Sequence, residues 1–139
     1  MTDARARAPR IFHVLVVDDD PAMRLMVRAM LERDRRLHVV AEAFNGKDAV
    51  TLVERTCPDA VVLGLQMPFM DGITAAGLIK RVCPNTAVII FSAVTTATLV
   101  QKAFDAGADL YLSKTTRPAE LADAINGLCV QAARLSEIA

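Results

Sequence analysis

Five strand-length aliphatic runs, each followed by a segment with helical spacing, constrain the fold of this chain more than any other feature. They are Ile11–Val17, Leu37–Ala43, Ala60–Leu65, Ala87–Phe91 and Leu110–Leu112. Nearly continuous apolar runs mean strands covered on both faces, the pattern of a parallel sheet rather than an antiparallel one. Strands alternating with helices give a doubly wound α/β sheet with right-handed crossovers. Periodicity alone leaves the strand order open.

The punctuation agrees with five helices. Asp20 is suited to an N-cap and Pro21 to the first helical position. Met23, Met26, Val27, Met30 and Leu31 then form an inward stripe at i, i+3, i+4 spacing. Asn45-Gly46 opens a second helix, with Ala49, Val50 and Val53 inward, and Pro58 marks its end. Asp71-Gly72 opens a third, with Ile73, Ala76, Ile79 and Val82 inward, and Pro84 marks its end. Thr95–Ala106 is a fourth, with Leu99, Val100, Ala103 and Phe104 inward and Gly107 at C′. Pro118 starts the last, striped by Leu121, Ile125, Leu128, Ala132 and Leu135. Cys57-Pro58-Asp59-Ala60 is echoed by Cys83-Pro84-Asn85 ahead of Ala87, so one helix–turn–strand geometry is used twice. The expected organisation is a tail over 1–10, one domain over 11–135 and a short tail over 136–139.

Composition removes several function classes. Lys+Arg and Asp+Glu balance at 16 each, so no global basic field points to nucleic acid; Arg5, Arg7 and Arg10 belong to the tail. Residues 1–10 hold no apolar signal segment, and no apolar run is long enough to span a bilayer. Cys57, Cys83 and Cys129 are odd in number and lack CxxC spacing. They are expected to be reduced thiols in a cytoplasmic protein, not a disulfide frame or a zinc site.

In sheets of this type ligands sit beyond the carboxyl ends of the strands. The first strand delivers Asp18 and Asp19 there, the third Gly64 and Gln66, the fourth Ser92 and Ala93, the fifth Lys114. Clustered carboxylates suit Mg²⁺, a hard cation that wants oxygen ligands. A cation and a lysine together neutralise the oxygens of a phosphoryl group in transfer. A hydroxyl can bond that group, and a small residue beside it leaves room. Each piece alone is bland: Asp18-Asp19-Asp20 caps a helix, and a single serine or lysine means little. Their joint arrival at one sheet edge is what carries the reading.

The loop Met67-Pro68-Phe69-Met70-Asp71-Gly72, with the acidic pair, the hydroxyl and the lysine, closely resembles the receiver domain of two-component response regulators. The resemblance runs from Ile11 to about Ala133. It implies a flavodoxin-like (βα)5 fold with strand order 2-1-3-4-5, Ser92 as switch hydroxyl, Tyr111 as switch aromatic and Lys114 as pocket lysine. It also implies Mg²⁺ held by Asp19, the Gln66 carbonyl and, through water, Asp18. In the family an Asp three residues before the Met-Pro accepts the phosphoryl group; here that residue is Gly64. Glycine can neither be phosphorylated nor give a carboxylate to a metal, so Mg²⁺ binding is expected to weaken and Lys114 to turn to Asp18 or Asp19. Gly64 is also expected to leave a small void. Asp59, at the far end of its strand and roughly 16 Å away by strand rise, is not placed to substitute. Thr115-Thr116 stands where many relatives carry proline.

Three functions follow. The first is an atypical receiver, not an enzyme, that signals through protein contacts without phosphorylation. Its expected partners are a histidine kinase or another signalling protein, with a homodimer formed through the fourth helix, fifth strand and last helix. The second is the N-terminal receiver of a helix-turn-helix transcription regulator in acceptor-less form, reaching DNA only through an output domain. The third is a small-ligand-binding pseudo-receiver, which no nucleotide motif supports.

Overall fold

The computed structural model describes residues 10–138. Five parallel strands form one sheet in the order β2-β1-β3-β4-β5. The strands are β1 Phe12–Val17, β2 Leu37–Ala43, β3 Ala60–Leu63, β4 Ala87–Ser92 and β5 Leu110–Ser113. The helices are α1 Pro21–Glu32, α2 Gly46–Thr56, α3 Gly72–Val82, α4 Ala97–Ala106 and α5 Pro118–Ile138. This is the doubly wound (βα)5 architecture expected from the alternation of runs. Central β3 is buried along its whole length and pairs β1 and β4 in register, Val61 opposite Leu15 and Val88.

Side chains alternate across the sheet and separate two cores. Phe12, Val14, Val16, Val62, Ile89 and Phe91 pack with Val27 and Leu31 of α1 and with Leu121 and Ile125 of α5. Leu15, Val17, Val61, Leu63, Val88 and Ile90 pack with Val53 of α2, Ile79 of α3 and Ala103 of α4. Asp20 caps α1 by accepting from the Ala22 amide at 2.9 Å, and Pro21 is its first residue. Asn45 and Asp71 cap α2 and α3 through the Asp48 and Thr74 amides.

The inward stripes are narrower than the spacing implies. Met26, Val82, Phe104 and Leu135 are 42%, 42%, 42% and 59% exposed. Each lies at a stripe margin or beyond the sheet's footprint, where spacing continues but no neighbour remains. The last helix runs on through residues 136–138, which correct the expected tail there to helix. Apart from Arg10, the expected N-terminal tail lies outside the described residues. Among the described residues no helix is long and apolar enough to cross a membrane.

The cysteine expectation is also corrected. Cys57 and Cys83 form a disulfide, with Cα atoms 5.8 Å apart, and Cys129 is free and buried. Spacing along the chain is silent here because the pair meets only once α2 and α3 lie side by side. Each cysteine occupies the C-cap of its helix, so parallel helices of equal length bring them together.

Candidate functional site

An open cleft of about 330 Å³ lies beyond the carboxyl ends of β1, β3 and β4, lined by Asp18, Asp19, Asp20, Leu65, Gln66, Ser92, Ala93, Val94 and Lys114. The sheet therefore assembles the expected carboxylates, hydroxyl, small residue and lysine in one place. Gly64 lies beside Asp18, its amide donating to the Val17 carbonyl at 2.8 Å.

Asp18 is the most constrained member, only 6% exposed. Its Oδ1 accepts the Asp20 amide at 2.9 Å, and its Oδ2 faces Lys114 Nζ at 3.3 Å. Arg24 of α1 donates to the Asp18 carbonyl at 2.7 Å and reaches Glu42 of β2 at 3.3 Å, fixing the β1 end from the side. Of the two carboxylates available to Lys114, it is thus the buried Asp18 that it takes. Asp19 and Gln66 are exposed at the rim.

The expected void at Gly64 is absent. A Cβ built on Gly64 would lie 2.9 Å from Asp18 Oδ2 and 3.3 Å from Asp18 Cγ. The Asp18 carboxylate occupies the space that a side chain at 64 would use, with the same Oδ2 that faces Lys114.

Ser92 is 4% exposed, and its Oγ accepts the Val94 amide at 3.0 Å, closing the turn after β4. Tyr111 does not line the cleft. It packs partly on the α2–α3–α4 side, and its hydroxyl donates to the Val94 carbonyl. Ser92 and Tyr111 therefore converge on one residue of the β4–α4 loop, a junction that spacing gave no means of finding.

The oxygen donors Asp18, Asp19 and the Gln66 carbonyl are of the kind Mg²⁺ takes. The fit is partial, because Asp18 already satisfies an amide and a lysine. Among the described residues no group of three or more His, Cys, Asp or Glu side chains is arranged to hold a metal.

Residues 14–126 match the response regulator receiver domain family, and the chain belongs to it. Members are the receiver domains of two-component regulators, which act with histidine kinases and other signalling proteins and typically bind Mg²⁺ at the phosphorylation site. Across 99% of its length the chain is 37% identical to the transcriptional regulatory protein PdtaR of Mycobacterium tuberculosis, covering 63% of it. Over 103 residues it is 44% identical to a protein-glutamate methylesterase/protein-glutamine glutaminase of Photobacterium profundum, covering 26% of that protein and 73% of this chain. A LuxR-family two-component response regulator from Aurantimonas superimposes with a TM-score of 0.82 at 35% identity, covering 87% of this chain and 86% of the other. The chain thus spans between 26% and 63% of these curated relatives.

Proposed function

We propose that this domain is a cytoplasmic signalling module that works by protein contact without phosphorylation at position 64. The observation that carries the reading is the pairing of Gly64 with the Asp18–Lys114 contact. The position that would accept a phosphoryl group has no nucleophile, and the lysine that would neutralise that group is already engaged at 3.3 Å. An ordinary receiver uses the phosphoryl group to shift an equilibrium between two conformations. Here the ion pair supplies a fixed bias, and a binding partner supplies the rest. Asp18, Asp19 and Gln66 would hold Mg²⁺ weakly, since a cation must compete with Lys114 for Asp18. The partners are a histidine kinase or another signalling protein, and the α4–β5–α5 face, where Phe104 is exposed, is the surface for a second copy.

The test is acetyl phosphate with Mg²⁺, read by intact mass on this protein and on Gly64→Asp. The native sequence is expected to gain no phosphoryl mass. The variant is expected to gain it, because the new side chain presses only on the end of the Asp18 side chain and its Cβ lies 3.6 Å from the Asp18 Cα. A phosphoryl mass on the native protein would overturn the reading.

A further inference from the structure

The Cys57–Cys83 bond plays no part in the phosphoryl cleft, and it sits at the opposite pole of the sheet. We propose that it is a thiol–disulfide exchange site, opened by a dithiol reductant through Cys57, and that opening it loosens the β3–α3 loop at the cleft.

Three observations carry this. The first is access. Cys57 is exposed and Cys83 is 5% exposed, so Cys57 is the half of the bond that faces solvent and an incoming thiolate. The second is tolerance of the open form. The Val53 carbonyl lies 3.4 Å from Cys83 Sγ, so a freed Cys83 thiol has an acceptor waiting. The two Cys-Pro turns stay joined without the bond: the buried Thr86 hydroxyl donates to the Pro58 carbonyl at 2.7 Å, and the Ala87 amide donates to the Asp59 carbonyl at 2.9 Å. The third is mechanical continuity. The bond ties the C-termini of α2 and α3, each 11 residues and so about 16 Å long. At their N-termini both helices meet loop backbone directly. Gly46 donates to the Met70 carbonyl at 3.1 Å and Gly72 to the Leu65 carbonyl at 2.7 Å. A Cβ on either glycine would collide with a carbonyl oxygen, that of Met70 or of Gly64. With no side chain between helix and loop, a change in the α2–α3 angle passes straight into Leu65–Gly72.

A thiolate of the dithiol attacks Cys57 Sγ, the Cys57–Cys83 bond breaks, and Cys83 leaves as a thiolate that takes a proton. The second thiol of the reductant attacks the mixed disulfide and releases Cys57. The dithiol becomes a disulfide, and the protein has gained two electrons and two protons. In the reducing compartment proposed above, on which this part of the inference rests, a disulfide open to exchange is a transient and sensing one.

The full chain is equilibrated, without denaturant, in reduced and oxidised dithiothreitol at graded ratios, quenched by alkylation and read by peptide mass. No phosphoryl donor is present, so this result and the acetyl-phosphate result stand or fall separately. The expected result is reversible, paired alkylation of Cys57 and Cys83 with Cys129 untouched, and amide exchange at Gly46 and Gly72 at least tenfold faster in the reduced form. Amides of β3 and β4 are expected to keep their rates. Cys57→Ser, at an exposed position, should reproduce the fast exchange with no reductant. A bond that opens only in denaturant, two thiols that never pair under oxidant, or unchanged exchange at Gly46 and Gly72 would each overturn the proposal.

Discussion

Asp18 answers to three neighbours at once, and its substitution separates them. Asp18→Asn keeps the shape and the bond from the Asp20 amide but removes the charge opposite Lys114. Lys114 keeps 28% of its side chain exposed, so water offsets much of the loss. The expected cost is about 1 kcal/mol, read from the urea midpoint. Cys129 is the opposite case of a group made silent by its surroundings. Burial, with the charge of Asp59 adding to it, pushes its thiol up to about 12. It is expected to resist alkylation in the folded protein at neutral pH and to react fully in denaturant.

Among elements, α5 is anchored to the α1–β2 turn by one arginine. Arg36 bonds Asp34 at 2.6 Å and Asp123 of α5 at 2.7 Å. The hydrogen bond from Arg36 is the main reason the Asp34 carboxyl is lowered from 3.8 to about 2, against a smaller opposing effect of burial. A carboxyl whose pKa is depressed on folding stabilises the fold above its unfolded value and loses that contribution as pH falls toward its folded value. Asp34→Asn is therefore expected to cost up to about 1 kcal/mol at pH 7, discounted for the half-exposed arginine. The gap from the native protein should hold from neutral pH down to about 5, narrow below 3.8 and close near 2. Urea midpoints across that range check it. This network joins a turn to a helix 87 residues away in sequence, and no local pattern announces such a pairing. The strands were legible because burial on both faces leaves an unbroken aliphatic run, and the helix starts because Asp20, Asn45 and Asp71 serve backbone amides within three residues. Met26 and Phe104 misled for the converse reason. Spacing reports which side of a helix a residue is on, not whether anything packs there.

For the whole molecule, the two cores and the cleft follow from strand order, and six of the nine lining residues, Asp18, Asp19, Gln66, Ser92, Ala93 and Lys114, could be read from strand ends. What filled it could not. That Asp18 covers Gly64 depends on contacts of the Asp18 side chain with residues 46 and 96 positions away, Gly64 and Lys114. The disulfide lies in the same category, since it joins helix ends 26 residues apart. A loop of that length constrains the unfolded chain enough that reduction is expected to lower stability by about 3 kcal/mol. A thermal midpoint several degrees lower, with the circular dichroism spectrum unchanged, would mark loss of a tether rather than of the fold. The three glycines around the β3–α3 loop, finally, differ in what they forbid. Gly46 and Gly72 face fixed backbone carbonyls, whereas Gly64 faces a carboxylate that can rotate away. If all three codons were randomised and folded survivors sequenced, 46 and 72 should return glycine while 64 returns a spectrum of small and acidic residues. On the proposed reading, the position that governs phosphoryl acceptance is thus the one of the three whose neighbour can give way, and the fold neither resists nor records a change there.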